Sequence, residues 1–238
     1  MKNFIIEPSF WEIFPDAEIY FLHLPIIDNH HDNTKEAYLN ELLKKATQEA
    51  QYFLPDENFS QNDVIQEWRL AFSKFKTKKG ARSSIEALLK RANQGHEFQS
   101  INPLVDLYNS ISLKYAVPCG GENFDKIAGD FHLGKAQGGE PFFPLGADTD
   151  APALPEEIIY YDDDGAICRC LNWREAQRTM LTEETTEAIL VIEAINDSQR
   201  SRAKEAINEL KQLSDHYFNI SNSSIFSLTQ SSPKHSID

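Results

Sequence analysis

Asn102-Pro103-Leu104-Val105-Asp106-Leu107-Tyr108-Asn109-Ser110 reads as the start of a buried helix. Asn is a favoured cap, and Pro directly after it is tolerated because the first helical amide needs no intrahelical acceptor. Leu104, Leu107, Tyr108, Ile111 and Tyr115 recur at three and four residues, which places them on one side. Asp106, Asn109 and Ser110 share the same spacing and form a polar cluster denser than packing requires. Before this helix the periodicity is mostly helical. Helices are expected over 33–54, 62–76 and 83–94, after short strands near 3–6 and 17–24. Ser83 and Glu86 stand at capping-box spacing, and Gly95 marks a stop. After the helix the texture changes. From 116 to 173, Pro, Gly and Asp punctuate short apolar runs at 131–135, 142–145, 157–161 and 166–171, which is the pattern of strands and turns. Asp162-Asp163-Asp164-Gly165 is placed as a hairpin turn. The run Ile189-Leu190-Val191-Ile192 is assigned to a buried helix over 184–196, and a last helix to 197–218. The expectation is therefore one α+β domain over 1–220. It has a helical part (1–95), a strand-rich core (96–196) and a closing helix, with 221–238 as a loose Ser- and Asn-rich tail.

The chain has 238 residues, 41% of them apolar and 25% charged, which is ordinary globular composition. Lys and Arg total 23 against 37 Asp and Glu, a net charge of −14 that excludes a generally basic nucleic-acid coat. No apolar run approaches the roughly 18 residues that would span a bilayer. The first eight residues lose their apolar run too early for a secretory signal, and three cysteines fit reduced thiols, so the expected compartment is the cytoplasm, with no membrane partner.

The phosphate-loop lysine motif, the dinucleotide-binding glycine pattern, the nucleophile-elbow serine and the zinc-protease histidine pair are all missing. Asp28-Asn29-His30-His31-Asp32 reads as a solvated loop, and Cys168 with Cys170 as small core thiols, so no metal and no cofactor are expected. One segment departs from the acidic whole. Lys74, Lys76, Lys78, Lys79, Arg82, Lys90 and Arg91 face a single acid, Glu86. A local field suffices to attract phosphate within a Debye length. Asp148, Asp150, Glu156, Glu157 and Asp162–Asp164 cluster elsewhere, so a nucleic acid would approach from the other side. A second polar segment, Asn172-Trp173-Arg174-Glu175-Ala176-Gln177-Arg178-Thr179, leaves the end of a core strand, where side chains can line a pocket. Gly120-Gly121 and Gly138-Gly139 are read as paired-glycine turns whose amides could approach a ligand.

Taken in order, Asn102–Asn109, Leu113–Pro118, Phe124-Asp125-Lys126-Ile127, Gly129-Asp130, the strand into Cys168–Asn172, and Thr182–Thr186 resemble the B3/B4 domain of the phenylalanyl-tRNA synthetase beta subunit. The resemblance runs from about Ser83 to Asn196, and the whole chain looks like a free-standing version with its own helical N-terminal part. It implies the fold of that editing domain and an aminoacyl-tRNA deacylase acting in trans on a mischarged tRNA, with no DNA partner. The pocket it implies is lined by Asn102, Asp106, Asn109, Gly120, Gly121, Asn172, Arg174 and Gln177. In that scheme Asp106 or Glu175 holds the α-amino group, while Asn109 and the Gly120–Gly121 amides position water or the oxyanion. Arg174 or Arg178 meets the terminal phosphate or ribose, and the stretch from Lys74 to Arg91 meets the tRNA. The chain also departs from the family pattern. Gly120 stands where the family has a histidine and Tyr108 where it has a threonine. The glutamate that reads a tyrosine hydroxyl falls on Gln177, or on Glu175 after a two-residue shift. Two other classes of reading stay open: a non-catalytic module that keeps the groove, and an interaction protein that dimerises through apolar helices.

Overall fold

A computed structural model describes all 238 residues. In chain order the elements are β1 (Lys2–Ile6), α1 (Pro8–Trp11), β2 (Glu18–Leu24), α2 (Glu36–Glu49), α3 (Asp63–Phe72), α4 (Ser84–Asn93), α5 (Pro103–Tyr115), β3 (Cys119–Asn123), β4 (Phe131–Lys135), β5 (Ile158–Asp162), β6 (Gly165–Arg169), β7 (Arg174–Glu175), β8 (Ala188–Ala194), α6 (Asp197–Phe218), β9 (Ser224–Leu228) and β10 (Lys234–Ile237).

The strands form two sheets, ordered β10-β1-β4-β5-β6-β7 and β3-β8-β2-β9. The four-stranded sheet is the middle layer, because alternate residues of β2 serve two different cores. Ile19 and Phe21 enter the cluster shared with the six-stranded sheet, while Tyr20, Leu22 and Leu24 join α2, α5 and α6 on the opposite face. Between the sheets, Phe4 packs within 5.2–5.4 Å (ring centroids) of Phe21, Phe131 and Phe226, which ties β1, β2, β4 and β9 together. Trp68 and Phe72 of α3 and Ile85 and Leu89 of α4 extend the same core.

α5 starts as its sequence indicates: the Asn102 side chain accepts from the Val105 amide at 3.1 Å. The hairpin at Asp162–Gly165 also forms. Three expectations are corrected. The 184–196 segment is not a helix but β8, paired with β2 and β3, and all seven of its residues are buried. A strand covered on both faces loses its alternation, so an apolar run of this length has no periodicity to identify it. The 221–238 segment is not a loose tail. Its short strands extend the two sheets, β9 beside β2 and β10 beside β1. Ser83 makes no capping hydrogen bond to α4, and Glu86 turns instead to Arg69, 2.8 Å away.

Candidate functional site

The two sheets part at one end around a cavity of about 410 Å³. Register brings its walls together. Gly120 lies opposite Val191 and Glu122 opposite Ile189, so Gly120, Glu122, Val191 and Glu193 share one face of the β3–β8 pair. Phe131, Tyr160 and Cys168 from the six-stranded sheet oppose them, with Glu175 entering from β7. Leu88 from α4, Tyr108 and Asn109 from α5, and Trp173 with Leu145 complete the enclosure. No loop alone builds this site. It exists because β6 runs out of the core into Asn172–Glu175 and back beside itself as β7.

The chemistry inside is acidic. Glu193 accepts from the Tyr160 hydroxyl at 3.0 Å and from the Asn172 amide at 3.3 Å. Burial pushes its carboxyl up to about 7, and those two hydrogen bonds hold it back from rising further. Glu175 Oε1 accepts from the Gly121 amide at 3.4 Å. Glu122 is 4% exposed, and its Oε2 has no hydrogen-bond partner. Burial raises both Glu122 and Glu175, and the charge of Glu175 raises Glu122 further, so ionising one opposes ionising the other. Burial likewise raises the thiols of Cys119 and Cys168, which therefore make poor nucleophiles. Asn109 is half-buried on the cavity wall and spends its side chain on no hydrogen bond within the chain. Arg174 is exposed at the rim, its guanidinium 5.3 Å from the Trp173 ring.

Of the residues singled out in the sequence, the cavity gathers Asn109, Gly120, Gly121, Asn172, Arg174 and Glu175. Four others are corrected. Asn102 is the α5 cap, bonded also to Asn29 at 3.0 Å. Asp106 binds the Ser100 hydroxyl and the Ile101 amide at the same helix start. Gln177 donates to the carbonyls of Pro144 and Ala147 at 2.9 and 2.6 Å, fixing the loop that carries Leu145. Arg178 clamps Asp162, with the Nη1–Oδ2 contact at 2.8 Å. Between the two placements of the family's glutamate, the residue that faces the cavity is Glu175.

Gly120 and Gly121 are a further correction. They sit within β3 and not in a turn. The Gly121 amide is directed at Glu175 and the Asn123 amide at the Thr179 carbonyl, so alternation along the strand turns Gly120's amide toward β8. Neither amide is free to hold an oxyanion. What Gly120 supplies is space, since a Cβ there would lie 2.9 Å from Glu175 Oε1. The carboxylate occupies room that any side chain at this position would need.

Sequence reasoning misses Glu122, Glu193, Tyr108 and Tyr160 as site residues. One signal was legible: a glutamate inside the apolar run Ile189–Ala194 needs a polar reason to be there.

Lys74, Lys76, Lys78, Lys79, Arg82, Lys90 and Arg91 are all exposed, and none has a carboxylate within ion-pair distance. The segment borders the cavity. Its Ser84 amide donates to the Asn172 carbonyl at 3.2 Å, and Lys78 lies 5.8 Å from the ring of Trp173.

Residues 67–220 match the family model of the B3/4 domain. The fold is also similar to a crystal structure of an N-terminal fragment of the phenylalanyl-tRNA synthetase beta-subunit from Pyrococcus horikoshii, with a TM-score of 0.46 and 12% identity over 93% of this chain. The chain covers 49% of that fragment, about half its length. No curated protein matches the chain.

Proposed function

The chain belongs to the B3/4 domain family, and on that footing we propose that it receives the aminoacylated 3′ end of a tRNA and hydrolyses a mischarged ester in trans. The observation that carries this reading is the adjacency of an acidic cavity to a row of unpaired cations. Carboxylates suit an α-ammonium group, and the Lys74–Arg91 segment at the mouth suits the phosphates that follow it.

The reaction needs a water, a base and a donor for the developing oxyanion. Water adds to the ester carbonyl while Glu175 takes its proton. The raised proton affinity of this carboxylate, caused by burial, suits a base near neutral pH. The uncommitted Asn109 amide donates to the tetrahedral oxyanion. Collapse then expels the ribose oxygen, which recovers the proton from Glu175, leaving a free amino acid and an uncharged 3′ end.

Deacylation of a panel of correctly and wrongly charged tRNAs tests the proposal. Selective hydrolysis of one misacylated species is expected, with Asn109→Ala or Glu175→Gln lowering the rate by about 100-fold, the usual worth of one oxyanion donor or base. Uniform background rates for every species would overturn the enzymatic reading. One observation favours the rival of a non-catalytic module: both glycine amides are already engaged, so oxyanion stabilisation falls on Asn109 alone. That module would bind charged tRNA and release it intact.

The basic segment carries its own expectation. Replacing Lys74, Lys78 and Lys79 together with Ala should weaken tRNA binding roughly tenfold or more and flatten its salt dependence, because fewer counterions are released. Filter binding across a salt series reads both. An unchanged slope would place the RNA on another face.

A further inference from the structure

The carboxylates of the cavity are spread along it. Glu122 lies opposite Ile189, four residues from Glu193 along β8, a strand distance of about 13 Å at ~3.3 Å per residue. Glu175 Oε1 sits over Gly120, which lies opposite Val191, midway between those two positions. Little positive charge answers them. Arg174 is exposed at the rim against Trp173, and Arg178, whose charge favours the ionised form of Glu122, is itself committed to Asp162. Glu193 has hydrogen-bond partners, whereas Glu122, buried to 4% exposure, has an oxygen with none. Between the carboxylates the wall is apolar, with Val191, Phe131, Cys168 and Leu171.

One α-ammonium group accounts for one of these carboxylates. A neutral side chain would leave Glu122 desolvated and unmatched, a costly state for a polar group. We propose that the amino acid taken by this cavity carries a second cation on an aliphatic side chain, as lysine and ornithine do. The α-ammonium sits at Glu193, the side-chain ammonium reaches Glu122, and Glu175 lies between them beside the ester. The direction follows from the basic segment: Ser84 contacts Asn172, and Asn172 contacts Glu193, so the Glu193 end is the one nearest the arriving tRNA backbone. This inference rests on the aminoacyl reading of the cavity and narrows it to basic side chains.

Calorimetric titration with lysinamide, norleucinamide and cadaverine separates the possibilities, since the amides resist hydrolysis and norleucinamide keeps the chain but lacks the second charge. Lysinamide is expected to bind at least tenfold more tightly than norleucinamide, with Glu122→Gln removing most of that preference. Equal affinity for the two amides would overturn the inference while leaving the aminoacyl reading standing. Cadaverine binding as tightly as lysinamide, with norleucinamide unbound, would support the two-cation site and remove the aminoacyl reading. Failure of all three to bind would overturn the inference. Should Glu122→Gln not fold, the comparison of the two amides on the unmodified protein decides alone.

Discussion

Replacing Arg169 with Met is expected to cost the fold about 3–5 kcal/mol, the penalty for stranding a buried charge. Arg169 and Glu157 are 2% and 0% exposed. They meet through two hydrogen bonds, Nε to Oε2 at 2.8 Å and Nη2 to Oε1 at 2.5 Å. The third arm of the guanidinium reaches the Ala151 carbonyl at 2.5 Å, tying the long connection between β4 and β5 to the end of β6. Glu157 also accepts from the Cys170 thiol at 3.5 Å. Removing Arg169 leaves this carboxylate in the core without a cation. The double variant Arg169→Met with Glu157→Leu should recover most of the loss, because the cost lies in the orphaned charge more than in the absent pair. Urea denaturation of the single and double variants checks this. A double variant no more stable than Arg169→Met would show that the pair matters for another reason, such as the anchoring of Ala151.

The second large effect is on the pH dependence of stability. Glu193 rises from an ordinary 4.5 to about 7 in the folded chain. The folded state therefore binds a proton more tightly than the unfolded state does. The linked stability is fully present below about pH 4.5, declines as pH climbs toward 7, and is gone above it. Each tenfold gain in proton affinity is worth about 1.4 kcal/mol, so the loss amounts to about 3 kcal/mol between roughly pH 4.5 and 8. Glu193→Gln removes the titration, so its stability should fall by about 3 kcal/mol less than the unmodified protein over the same range. Denaturation curves at both pH values measure the difference. Identical pH slopes would mean that Glu193 is ionised throughout and solvated by the cavity.

The elements that can be read directly are those whose signals are local. Asn102-Pro103 announces α5 because cap and first-turn chemistry act within four residues. The Asp162–Gly165 hairpin follows from its own turn residues. β8 reads as a helix because both of its faces are buried and no alternation survives, although its Ile-Val-Ile content favours a strand. The strands at 224–228 and 234–237 carry only weak local signals: the first sets Ile225, Phe226 and Leu228 among serines, and the second is four residues long with a single apolar residue. Their partners β2 and β1 lie roughly two hundred residues away in sequence. The site divides in the same way. Asn172, Arg174 and Glu175 are legible because polar residues leaving a core strand face whatever lies beside it. Gln177 and Arg178 follow on the same segment, but Gln177 turns to the 144–147 loop and Arg178 to Asp162. That distinction depends on a neighbouring loop and hairpin. Glu122 and Glu193 share a face only through the β3–β8 register, which no single segment encodes.

On the proposed reading, one cavity takes the aminoacyl group while the neighbouring cations take the nucleic acid. An NMR titration with an amide-linked lysyl-adenosine probes both parts at once, because the analogue keeps both halves of the ligand and is not hydrolysed as an ester. Saturable shifts are expected at Asn109, Gly120, Gly121 and Asn172, together with Lys78 and Ser84 at the mouth. Shifts confined to another surface, or none at millimolar analogue, would overturn this reading of the cavity.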